Sequence, residues 1–147
     1  MKNEENIFHL KNIDLFMPND GVEYIYSILQ NLGYHDFTTR IAREHGLNTI
    51  RQLFELDLIE VFSWGKHQNL FSNLDFTAQQ KMKLIENIWF VGADFSDFVE
   101  MVMFKHKDWY LKELVNEGLQ TTGVNWKTFV DDRIGDLENW INQNRPK

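Results

Sequence analysis

The stretch LIEVFSWGKHQNLFSNL, Leu58 to Leu74, decides the fold, because here the apolar pattern stops being helical. Leu58-Ile59-Glu60-Val61-Phe62-Ser63-Trp64 is rich in β-branched and aromatic residues and partly alternates, which reads as a strand. Gly65-Lys66-His67-Gln68-Asn69 reads as a polar turn. Leu70-Phe71-Ser72-Asn73-Leu74 then reads as the returning strand, so the expectation is one small antiparallel β-hairpin in an otherwise mostly α, multi-helix chain. A lone hairpin is marginal in water, so this one must pack on helices.

Upstream of the hairpin, the spacing predicts three helices. Asn19 or Asp20 caps a first helix with Val22, Ile25, Ile28, Leu29 and Leu32 on one face, ending at Gly33. Asp36 caps a second over Phe37 to His45, stopped by Gly46, and Asn48 caps a short third over Thr49 to Leu56. Downstream, Thr77-Ala78-Gln79-Gln80 has capping-box spacing and opens a helix carrying Met82, Ile85, Ile88 and Trp89 toward Gly92. Asp94 or Ser96 starts another, with Phe95, Phe98, Val99, Val102 and Met103 inward; it kinks and restarts at Asp108. Asn125 caps the last helix, whose Trp126, Phe129, Val130, Ile134, Leu137, Trp140 and Ile141 fall at offsets 0, 3, 4, 8, 11, 14 and 15. The opening segment, Met1 to Pro18, fits neither helical nor strand period; a short helix and an extended arm both remain open.

Three helices, strand, turn, strand and helix is the order of a winged-helix domain. Ile41-Ala42-Arg43-Glu44-His45-Gly46-Leu47 resembles the second helix and turn of helix-turn-helix proteins. Leu56-Asp57-Leu58-Ile59 is similar to the end of a recognition helix entering the wing, and Leu74-Asp75-Phe76-Thr77 to the exit from it. The resemblance covers about residues 20–82 of a single domain, 1–147, with 83–147 a helical part. It implies a DNA-binding transcriptional regulator touching DNA through the outward positions Thr49, Arg51 and Gln52 and the wing residue Lys66. The charges oppose that reading. One Arg beside Glu55 and Asp57, plus Lys66 and a neutral His67, cannot neutralise several phosphates, and phosphate contact supplies most nucleic-acid affinity.

The chain has 147 residues, 15 Lys plus Arg against 22 Asp plus Glu, a net charge of −7, and 14% aromatic residues. Zero Cys excludes disulfides, thiolate metal sites and cysteine nucleophiles. No apolar run reaches the roughly 18 residues that span a bilayer, and the polar start, MKNEENIFHL, lacks a signal-peptide stretch. A cytoplasmic domain with no membrane association is expected. The five His form no H-E-x-x-H spacing, and no phosphate-binding glycine loop or G-x-S-x-G elbow occurs. His106-Lys107-Asp108 reads as a solvated helix kink, and Asp94, Asp97 and Glu100 as acids at a helix N-terminus rather than cation ligands. No catalytic residue, metal or cofactor is expected, and the chain reads as a non-enzyme.

What is left is binding. A small, acidic, aromatic-rich chain resembles immunity proteins and antitoxins in composition, which implies inhibition of a basic protein partner such as a nuclease toxin. The partner-binding residues expected are Asp131, Asp132 and Asp136, opposite the last helix's apolar stripe, with Trp64 at the hairpin turn either as an anchor or as core. Nucleic acid is not the expected ligand. The oligomeric state is not legible.

Overall fold

The longest helix runs through the place where the sequence predicts a break. In the computed structural model, which describes residues 7–18, 21–71, 75–119 and 125–146, α2 (Arg40–Glu55) is continuous and replaces the expected helices 37–45 and 49–56. Thr39 Oγ1 caps it by accepting from Ala42 N at 3.1 Å, while Asp36 spends its carboxylate on Thr38. Gly46 is not a stop. A Cβ there would come within 2.6 Å of Trp89 Cη2, so the glycine lets the indole lie against the helix. Mid-helix Gly costs about 1 kcal/mol relative to Ala, less than burying a Trp contributes.

The fold class is as the sequence predicts: mostly helix with one small antiparallel sheet. Strand β1 (Ile59–Ser63) lies where expected, but its partner does not. It pairs with β2 (Met103–His106), in register Ile59 with His106 and Val61 with Phe104, and a bulge at Phe62. Leu70 and Phe71 belong instead to a helical turn, α3 (Gln68–Phe71), after the 3-10 turn Gly65–His67; Ser72, Asn73 and Leu74 lie outside the described residues. The reason is visible at Gly65. Its φ is +59°, and a Cβ would come within 2.2 Å of the carbonyl oxygens of Glu100 and Met101. With Lys66 N donating to Glu100 O at 2.9 Å, the chain leaving β1 is pulled onto residues 100–101 and cannot fold straight back. Met103 to His106, expected to be helical, shows the alternating burial of a strand. The outer edge of β2 is covered, since Phe104 N donates to Glu23 O at 2.8 Å.

Helix α1 (Ile25–Asn31) ends near Gly33 as expected; Asn19 and Asp20 lie outside the described residues, and Ser27 Oγ accepts from Tyr24 N at the helix start. Helix α4 (Ala78–Ile88) has its capping box, with Thr77 and Gln80 exchanging hydrogen bonds. Two short helices follow, α5 (Phe95–Phe98) before β2 and α6 (Asp108–Asn116) after it. The last predicted helix is broken. It runs as α7 (Trp126–Phe129), a π turn (Val130–Ile134), Gly135 at φ +80°, then α8 (Leu137–Asn144). The apolar stripe survives the break: of its seven residues only Ile134 is half-buried rather than buried.

The segment without a readable period is a 3-10 helix, Leu10–Phe16, seated in the core. Side chains from three other elements hold its carbonyls: Trp126 Nε1 donates to Ile13 O at 2.8 Å, His106 Nε2 to Leu15 O at 3.2 Å and Tyr110 Oη to Phe16 O at 2.5 Å. Among the described residues, no helix is long and apolar enough to cross a membrane.

Candidate functional site

Four of the eight large apolar side chains left exposed among the described residues fall within ten positions: Phe90 (52%), Val91 (49%), Phe95 (51%) and Val99 (42%). The local structure explains why. Helix α4 ends at Trp89, where Arg43 Nε donates to Trp89 O at 2.7 Å and Arg43 Nη2 to Glu86 O at 2.8 Å, satisfying carbonyls that a helix end leaves open. The chain then turns at Gly92 (φ +102°) and buries Ala93. Asp94 caps α5 by accepting from Phe95 N at 2.9 Å, while Asp97 accepts from Asp94 N at 3.0 Å. A four-residue helix has one inward position. Phe98 takes it, against Trp89 at 5.7 Å between ring centroids and Phe37 at 6.1 Å. Phe95 and Val99, expected inward, therefore face solvent, with Phe95 lying on Tyr26 at 4.4 Å.

Acids interleave with these apolar residues. Asp94 and Glu100 are exposed and Asp97 half-exposed. Glu100 approaches Lys66 at 3.8 Å, but both side chains are more than 60% exposed, so the pair is loosely held. Beside this ledge lies a groove of about 380 Å³ lined by the apolar Phe71, Leu84, Ile88, Phe90 and Met101 and also by Asp97, Lys66 and His67. One wall is the turn clamped by Gly65. Trp64 packs beneath it, edge-on to Phe71 at 5.2 Å and to Phe76 at 6.3 Å.

The residues expected to bind a partner are placed differently. Of the two roles open for Trp64, anchor or core, the structure has the core one: it is buried, 6% exposed, and packs on Phe71 and Phe76, because the chain after it turns inward instead of forming a hairpin tip. Asp131 and Asp132 are exposed in the π turn, with the exposed cations Lys127 and Arg133 close in sequence. Asp136 caps α8, accepting from Asn139 N at 3.1 Å. Of the residues expected to face DNA, Thr49 is fully buried and donates to His45 O at 2.9 Å; the outward assignment is corrected because the continuous α2 turns that position into the core. Arg51 bonds Asn48, Gln52 is half-buried, and Lys66 stands beside Glu100.

His106 is no solvated kink. It is the last residue of β2, fully buried, with its ring 5.1 Å from that of Tyr110. Donation from Nε2 to Leu15 O puts the ring's lone pair on Nδ1, which has no hydrogen-bond partner. Burial lowers its pKa to about 4, and the same burial raises the Tyr110 hydroxyl well above its ordinary value. Both are neutral at pH 7 and enclosed, which suits holding the 3-10 segment. Lys107 pairs with Asp57, and Trp109 Nε1 donates to Asp57 O at 2.6 Å. No group of three or more His, Cys, Asp or Glu able to hold a metal ion is found among the described residues.

Sequence reasoning missed Phe90 and Val91 and misassigned Phe95 and Val99. The available signal was surplus: the segment from Trp89 to Met103 has more large apolar residues than one helix face can bury. The chain matches no known family model, no curated protein and no solved structure.

Proposed function

We propose that this chain is a non-enzymatic domain that binds a basic protein partner, in the manner of an immunity protein or antitoxin-like inhibitor acting in the cytoplasm. One observation carries the reading: the exposed apolar side chains gather at residues 90–99 and alternate with Asp94, Asp97 and Glu100. Contiguous exposed apolar surface marks interaction sites, and aromatic residues are enriched at protein interfaces. The acids select the sign of the partner. A net charge of −7 attracts a basic protein at long range and repels phosphate, and Asp131 and Asp132 add to that field.

The test is affinity capture from the native host with wild type and a Phe90→Ser/Phe95→Ser variant, beside titration with random duplex DNA. The expected result is a basic protein retained at low salt and lost by the variant, with no appreciable DNA binding. A retained protein indifferent to the variant, or sub-micromolar duplex affinity, overturns the reading.

A further inference from the structure

We infer that the groove and ledge receive an amphipathic basic helix of the partner, with bulky apolar side chains on one face and Lys or Arg beside them. The inference rests on the basic-partner reading above and adds the form of the ligand. Two features of the site determine that form.

The first is the backbone. The ledge and groove are built from residues in turns and helices: the 65–71 turn, α4 with its exit, and α5 with residues 99–101. None of these offers a strand edge, and the outer edge of β2 is occupied by Glu23 O. An extended peptide laid here would leave its own amides and carbonyls without partners, at a desolvation cost for each. A helix satisfies its backbone internally and offers only side chains.

The second is the pattern of footholds. The groove, with Phe71, Leu84, Ile88 and Phe90, is one apolar foothold; the ledge, with Phe95 and Val99, is another; Asp97, between these two in sequence, lines the groove. Apolar side chains spaced i, i+3, i+4 and i+7 on one helix face suit successive footholds of this kind. Asp94, Asp97 and Glu100 then lie alongside the apolar strip, where Lys or Arg flanking a helix's apolar face would meet them.

The experiment uses the full chain and three synthetic peptides made from Leu with Lys or Glu. One has Leu at helical spacing with Lys elsewhere, the second has the same composition in strict alternation, and the third is the helical order with Glu for Lys. Affinity is measured by titration calorimetry, and the site is mapped by NMR shifts of the isotope-labelled chain. The basic helical peptide is expected to bind at least about tenfold tighter than either of the others. Shifts should centre on Phe71, Phe90, Phe95 and Val99. Phe90→Ser/Phe95→Ser should remove the preference, and Glu100→Lys, which leaves the apolar surface intact, should narrow the gap between the Lys and Glu peptides. Equal affinity for the helical and alternating basic peptides, or shifts centred elsewhere, overturns the helix inference. If a captured basic protein still depends on Phe90 and Phe95 in that case, the basic-partner reading survives; if it does not, both fall.

Discussion

The 3-10 segment Leu10–Phe16 and the ledge at 90–99 are both short, irregular and rich in apolar residues, yet they end on opposite sides of the surface. The first buries Ile13, Leu15 and Phe16, and its carbonyls are held by donors from β2, α6 and α7. The second closes its backbone locally, through the Asp94–Asp97 capping box and the turn in which Ala93 N donates to Phe90 O at 3.1 Å, and leaves Phe90, Val91, Phe95 and Val99 outside. A segment whose polar backbone atoms are satisfied from afar can enter the core. One that satisfies itself can stay at the surface with apolar side chains to spare, and that spare surface is where binding is available. The contrast makes the first region a determinant of stability and the second the surface proposed for binding.

The largest expected effect is at the first region. Trp126 is buried, stacks on Phe129 and donates to Ile13 O, so Trp126→Ala should lower unfolding free energy by about 3–5 kcal/mol in chemical denaturation. A loss under about 1 kcal/mol would mean that the 3-10 segment is not anchored there.

Acid should act on the same region. Unfolded, His106 titrates near 6.5; folded, burial holds it at about 4. The unfolded chain takes up that proton first. The stabilisation is therefore complete above pH 6.5 and drains as pH falls toward 4, by roughly 3 kcal/mol. Denaturation midpoints measured across that range should fall, and His106→Gln should flatten the slope. An unchanged slope in the variant would place the acid sensitivity elsewhere.

A smaller effect comes from one hydroxyl. Tyr110→Phe leaves Phe16 O buried without its donor and should cost about 1–3 kcal/mol, with little change in affinity for a partner at the ledge. The smallest stability effect belongs to the second region. Phe90→Ser/Phe95→Ser should shift unfolding by less than about 1 kcal/mol while removing partner binding. A large stability loss there would erase the contrast, because it would make the ledge part of the core.

Local features were legible in the sequence. The capping box at Thr77 and Gln80, the Asn125 cap, the turn near Gly33 and the strand from Ile59 are each set by neighbours a few residues apart, where side-chain oxygens meet unpaired amides or where residue type favours an extended chain. The last helix's apolar stripe was equally plain, because burial of one face survives even a break at Gly135. The mostly helical class with a small antiparallel sheet followed from these signals.

Tertiary structure decided the rest. Nothing near Gly46 announces that an indole from residue 89 will lie against it, so a helix-stopping residue became a packing site inside α2. Nothing near Ser63 announces that the partner of β1 lies some forty positions on, at Met103–His106, since strand pairing depends on which faces are buried together and not on adjacency in the chain. The same holds for the candidate site. Phe95, Phe98 and Val99 are alike in sequence, and only the space against Trp89 and Phe37 determines that one is buried while two remain exposed. Caps and periods are short-range quantities carried by the chain itself, whereas burial is a property of the assembled core.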